Sequence, residues 1–223
     1  MARIMSANGV DKATLDNVIK ESCATLRSGG VIAVPTETVY GISASVASNE
    51  GVQKIYAIKG RQKDKPVAIC LSDVSQIEKW CRQTVSVELL GDLLPGPVTV
   101  VFERSEALNP ALNPGVSLVG VRVPDYPLLR SLVAAFGEPL ALTSANISNT
   151  RSTLAIEEFE ELWPQLDLVI DGGRISEVET EDSRKGSTVV NLSIPGTFSI
   201  IRKGCHYEET VKLLREKYHF SEA

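Results

Sequence analysis

Residues 29–41 read Gly-Gly-Val-Ile-Ala-Val-Pro-Thr-Glu-Thr-Val-Tyr-Gly. Val31, Ile32, Ala33 and Val34 make a short apolar run between a glycine pair and Pro35, which reads as a buried strand. Upstream, residues 14–28 read as a helix. Thr14 is positioned to cap it, Leu15, Val18, Ile19 and Leu26 make an apolar stripe, and Gly29-Gly30 stops it. Downstream lie three hydroxyls and a carboxylate in a turn. Helix, buried strand and polar loop in succession is the unit of an α/β sheet protein.

The same alternation continues along the chain. Asn49 opens a second predicted helix carrying Val52, Ile55 and Tyr56, and Pro66 introduces a strand over residues 67–71. Helices follow around Ile77 to Trp80 and Leu89 to Leu94. Pro95-Gly96-Pro97 then separates them from strands over residues 98–102 and 117–123. Asp125 is positioned to cap a helix bearing Leu128, Leu129, Leu132, Val133 and Phe136. Later come a strand at 140–142, a helix from Thr153 to before Pro164, and strands at 168–170, 189–192 and 198–201. A last helix covers 207–218. Residues 174–185 are polar and charge-dense. Some strands follow one another directly, so the expected architecture is one twisted, mixed, largely parallel sheet with helical cover. Residues 1–13 read as an N-terminal tail, 14–206 as the domain, and 207–223 as a C-terminal helix belonging to it.

Composition narrows the function classes. The 223 residues carry a net charge of −5, which argues against a generic nucleic-acid coat but not against a local basic site. The four cysteines form no C-x-x-C pair and only two histidines exist, which argues against a zinc finger or a disulfide framework. Cys23, Cys70 and Cys81 read as buried free thiols. No apolar run is long enough to span a membrane, and residues 1–13 lack a signal-peptide or arginine-rich amphipathic pattern. A cytoplasmic protein is expected.

Several polar clusters follow strands, where open α/β sheets bind ligands. Thr36-Glu37-Thr38 is one; an ordinary capped turn explains it equally well. Lys59-Gly60-Arg61-Gln62-Lys63-Asp64-Lys65 sets four cations at alternate positions, which suits a phosphate as well as a solvated loop. Arg122, among strand-forming apolar residues, needs a partner: an internal carboxylate such as Asp171, or a substrate carboxylate. Thr143-Ser144-Ala145-Asn146 and Lys185-Gly186-Ser187-Thr188 add hydroxyls, and Arg202-Lys203 ends the last strand. The glycines at 172, 173 and 186 could hinge residues 174–185 as a lid, or the stretch could be a plain surface loop. No G-x-S-x-G, Walker A or G-x-G-x-x-G pattern is present, so a hydrolase triad is not expected and any nucleotide is held in another way.

Taken in order, Pro35–Gly41, K-x-R at Lys59-Gly60-Arg61, Pro95–Thr99, Gly120–Pro124, S-x-N at Ser144-Ala145-Asn146, Ile170–Gly173 and Gly186–Val190 resemble the YrdC family of threonylcarbamoyl-AMP synthases. The likeness spans about Gly29 to Arg202, and the wording of residues 93–114 is similar to the animal short-form branch. It implies a YrdC-like domain with a basic concave cavity. It implies that L-threonine, bicarbonate and ATP give threonylcarbamoyl-AMP and pyrophosphate, the first step of N6-threonylcarbamoyladenosine formation in tRNA. Implied threonine contacts are Thr36 and Arg122, with Ala68 and Leu142 lining the pocket through backbone groups and Ser187 closing it. Implied ATP contacts are Lys59, Ser144, Ser152 and Arg202, with Lys63 and Leu118. Arg61 and Asn146 complete the signature and the catalytic set with Lys59 and Ser144. Mg²⁺ is expected to travel with ATP without a protein cage, Asp171 and Glu37 being outer-shell partners at most. A downstream tRNA threonylcarbamoyl-transferase complex and contact with tRNA are the expected partners. The second C-terminal domain of longer relatives is not expected here. Two rival readings stay open: a non-catalytic structured-RNA-binding module of the same fold, and carbamoyl transfer from carbamoyl phosphate.

Overall fold

The computed structural model describes residues 2–60, 66–148, 150–178, 180 and 182–223. In chain order the elements are β1 (Arg3–Ser6), α1 (Lys12–Arg27), β2 (Ile32–Val34), β3 (Gly41–Ser45), α2 (Asn49–Ile58) and β4 (Ala68–Cys70). Next come α3 (Ile77–Trp80), β5 (Cys81–Arg82), α4 (Val87–Leu93), β6 (Val98–Arg104), β7 (Leu118–Arg122), α5 (Pro127–Phe136) and β8 (Leu140–Ser144). A 3₁₀ stretch, Ile156–Gln165, precedes β9 (Leu168–Asp171), β10 (Thr188–Asn191), β11 (Thr197–Arg202), α6 (Tyr207–Lys212) and β12 (Ser221–Glu222).

The strands form one sheet in the order β1-β9-β2-β3-β8-β4-β7-β6-β10-β11-β12, with β5 paired to β6. The expected mixed sheet is there, and among the described residues its parallel and antiparallel pairs are nearly equal in number, five and six.

Side-chain alternation assigns the two faces. Ala33, Ile42, Ile69, Val100, Phe102, Val121, Ala141 and Val190 point one way, into a core shared with α2, α4 and the 3₁₀ stretch. Ile32, Val34, Leu140, Leu168 and Ile170 point the other way and are covered by Val18 and Leu26 of α1 and Leu129, Leu132 and Val133 of α5. Among the described residues that cover extends from β9 across β2 and β8 to Cys70 of β4. Cys23, Cys70 and Cys81 are buried free thiols, as expected, and burial pushes Cys70 and Cys81 up to about 12.

Several boundaries differ from the sequence reading. Residues 1–13 are not simply a tail, because Arg3–Ser6 add a parallel edge strand to β9. The chain then continues along the turn after β9: Ala7 N–H donates to Asp171 O at 2.7 Å, and a Cβ on Gly173 would lie 2.5 Å from Asn8 Nδ2. Helix α1 starts at Lys12, capped by Asp11, whose carboxylate accepts from Thr14 N; Thr14 is inside the helix. Ser48, one residue before Asn49, caps α2. Pro127 sits in the first turn of α5, so Asp125 lies outside it. Pro164 lies within the 3₁₀ stretch instead of after it. The C-terminal helix turns into a wider π-turn at Leu213–Lys217.

Candidate active site

The uncovered part of the second sheet face is a cavity of about 590 Å³. Its floor follows from the strand register. Leu142 of β8 pairs with Ala68 of β4, Gly120 of β7 with Val101 of β6, and Thr99 of β6 with Val189 of β10. Because side chains alternate, Leu118, Gly120 and Arg122 all face the same hollow, as do Thr99 and Val101. The walls come from the Thr36–Gly41 turn, Ser144, Ser152, Gly186-Ser187 and Arg202. The lining is mainly apolar, with Arg122 and Arg202 as its cations among the described residues.

Most of the polar wall side chains are held. Thr36 Oγ1 donates to Val39 O at 2.7 Å and accepts from the N–H groups of Thr38 and Val39, which fixes the turn after β2. Arg122 Nη2 donates to Thr38 Oγ1 at 2.8 Å and lies 3.0 Å from Glu37 Oε1. Neither Glu37 oxygen nor Arg122 Nε makes an aligned hydrogen bond, so that contact is one of charge more than direction. The internal carboxylate beside Arg122 is therefore Glu37, not Asp171. Asp171 instead accepts from Gly173 N at 2.9 Å. Ser187 Oγ meets Thr99 Oγ1 at 2.7 Å, and Arg202 Nη2 donates to Ser187 O at 2.8 Å.

Lys59 is the departure. It is 1% exposed and does not line the cavity. Its ammonium lies behind the S-x-N turn, donating to Ser144 O at 2.6 Å, to Asn146 Oδ1 at 2.8 Å and to Asn146 O. Ser144 Oγ also donates to Asn146 Oδ1, and Asn146 Nδ2 donates to Thr150 O at 2.6 Å. The lysine and the amide together shape the loop that presents Ser144. The structure thus gathers Thr36, Ala68, Leu118, Arg122, Leu142, Ser144, Ser152, Ser187 and Arg202 around one hollow. Lys59 and Asn146 stand behind it, and Arg61 and Lys63 lie outside the described residues.

Thr38, Thr99 and Tyr40 lie inside motifs the sequence singles out, but sequence reasoning gave none of them a role of its own. Tyr40 is buried against Phe159, with ring centroids 5.5 Å apart. Its hydroxyl donates to Gly173 O at 2.7 Å and accepts from Gly172 N at 3.0 Å, and burial holds it well above the usual phenol range. The aromatic inside Pro35–Gly41 was the available signal. Glu158 and Arg184 carried none, being 26 residues apart in polar sequence.

A mainly apolar hollow at strand ends, with two arginines and several hydroxyls on its walls and, among the described residues, no nucleophile–base pair, suits an enzyme class that works by positioning and charge stabilisation on anionic substrates. The Sua5/YciO/YrdC family model, described as telomere recombination, matches residues 24–204, and the chain belongs to that family. The chain is 48% identical over 214 residues to the threonylcarbamoyl-AMP synthases of Mus musculus and Homo sapiens, covering 96% of this chain and 76% and 77% of theirs. A crystal structure of Pyrococcus abyssi Sua5 complexed with L-threonine superposes with a TM-score of 0.82 at 25% identity. All of this chain is covered there, and it spans 62% of that chain's length.

Proposed function

We propose that this protein is a threonylcarbamoyl-AMP synthase, joining L-threonine, bicarbonate and ATP into threonylcarbamoyl-AMP with release of pyrophosphate and water. The observation that carries the reading is the convergence of Thr36, Arg122, Ser144, Ser152, Ser187 and Arg202 on one hollow.

On this reading Arg122 takes the threonine carboxylate by its guanidinium edge. Thr36 and the Ala68–Leu142 strand pair surround the side chain, and Ser187 closes the pocket. Ser144, Ser152 and Arg202 hold the nucleotide, with Leu118 against it. Lys59 and Asn146 act by fixing the Ser144 turn, and Arg61 and Lys63 are assigned to the phosphates by resemblance. Carboxylation of the threonine amine gives a carbamate. A carbamate oxygen then attacks the α-phosphorus, forming a P–O bond as pyrophosphate departs with the electron pair of the α–β bridge. The protein supplies alignment and donors for the added charge. The apolar lining restricts water around a reactive mixed anhydride.

Mg²⁺ is proposed to enter on the triphosphate. Among the described residues no three His, Cys, Asp or Glu side chains cluster, Glu37 is against Arg122, and one Asp171 oxygen is engaged by Gly173. These residues do not fit a protein cage, and no step is routed through the ion.

Residues 14–206 are read as the catalytic domain with 207–223 part of it. Transfer of the labile product to a tRNA-modifying transferase complex in the cytoplasm is the proposed setting, with tRNA contact belonging to that hand-off. No helix among the described residues is long and apolar enough to cross a membrane. The test is pyrophosphate release from ATP. It should require L-threonine and bicarbonate together and disappear in Lys59→Ala. Release that ignores threonine would overturn the proposal, and salt-dependent binding of structured RNA without turnover would favour the RNA-binding alternative.

A further inference from the structure

Glu158 joins stretches of chain that are distant in sequence. Arg184 Nη1 and Nη2 reach its two oxygens at 2.5 and 3.0 Å, a two-pronged pair 26 residues apart. The same Nη1 donates to Ser152 O at 2.8 Å. Leu154 N–H donates to Glu158 Oε2 at 3.0 Å, and Arg174 Nη1 to Oε1 at 3.2 Å. Arg184 is nearly enclosed, its side chain 7% exposed, and the Glu158 side chain is 25% exposed. Exposed ion pairs contribute little, but a forked pair on an enclosed guanidinium fixes geometry, and removing one partner leaves a buried charge.

The residues beside these contacts are cavity walls. Ser152 and, just after Arg184, Gly186 and Ser187 line the hollow. We infer that Glu158 is a positioning residue: by clamping Arg184 and Arg174 against the Ser152–Leu154 segment, it sets the spacing between the Ser152 wall and the Gly186–Ser187 wall. Glu158 itself lines no part of the hollow, so it acts through its neighbours. The kinetic form of this claim rests on the proposed function; the structural form does not. A displacement of about 1 Å in a positioning wall can cost on the order of a hundredfold in rate.

The experiment compares the wild type, Glu158→Gln, Arg184→Lys and the exposed neighbour Glu160→Gln in two assays. In steady-state pyrophosphate release, Glu158→Gln and Arg184→Lys should each raise KM for ATP and L-threonine by about tenfold or more with a smaller change in kcat, while Glu160→Gln matches the wild type. In limited trypsinolysis, cleavage after the exposed Arg174 and Lys185 should quicken several-fold in the first two variants only. Arg184→Lys keeps the charge and loses the fork, so it decides the matter if Glu158→Gln does not fold. A variant that melts earlier yet keeps both wild-type KM values would overturn the positioning role, as would unchanged trypsin cleavage. Should the wild type release no threonine-dependent pyrophosphate, the functional proposal fails while the trypsin comparison still decides whether Glu158 clamps the walls.

Discussion

Arg122 is 6% exposed and still keeps Nε free of any aligned hydrogen bond, with Glu37 near one nitrogen and Thr38 on it. A guanidinium held by one hydroxyl and one poorly aligned carboxylate retains an edge for a second, better aligned carboxylate. Arg122→Lys keeps the charge and loses the fork. The expected outcome is a rise of about ten- to a hundredfold in KM for L-threonine and a much smaller one for ATP, read by steady-state kinetics; equal rises in both would contradict the assignment. The arginine itself was legible, because a cation among strand residues demands a partner. Its partner was not, because the choice between Glu37 and Asp171 depends on how the β2–β3 turn folds over β7. Lys59 stood out in the sequence as a cation of the K-x-R motif, but not as an internal tie behind the Ser144 turn, since a cation-rich motif looks the same whether its ammonium meets a phosphate or four backbone and side-chain oxygens.

At the scale of the element, the β6–β7 pair sets the cavity floor. A Cβ on Gly120 would lie 2.9 Å from Thr99 Cγ2, and Thr99 is the residue that meets Ser187. Thr99 is β-branched and stiff, so it cannot simply turn aside. Gly120→Ala is expected to weaken L-threonine binding about tenfold, by calorimetric titration, with a melting temperature only a few degrees lower. Most elements could be read because apolar runs and helix stops punctuate the chain. The missed ones have a common cause. Gly41–Ser45 is Gly-Ile-Ser-Ala-Ser, small and mostly not strand-forming, yet fully buried in β3 because it lies between β2 and β8. Arg3–Ser6 is short and exposed, and its pairing with β9 is a contact across the whole domain that no local pattern records. The helix starts slipped by one to a few residues because Asp11, Ser48 and Pro127 outcompeted nearby capping candidates.

Across the whole molecule, the Glu158 clamp gives stability a pH signature. Its hydrogen bonds from Arg184, helped by Leu154 N–H and Arg174 and opposed by partial burial, bring its carboxyl down to about 2. The unfolded value is about 4.3. A folded-state value below the unfolded one contributes stability that is fully present above the unfolded value and is lost as pH falls toward the folded one. Melting temperature should therefore decline between about pH 5 and pH 2 more steeply in the wild type than in Glu158→Gln; parallel curves would contradict it. The edge strand β1 has a practical bearing of another kind. Residues 3–8 run along β9 and press on the Asp171–Gly173 turn, whose other side carries the Tyr40 hydroxyl. Removing residues 2–8 would strip a splint from that turn and lay bare the β9 backbone edge as a sticky rail for other chains.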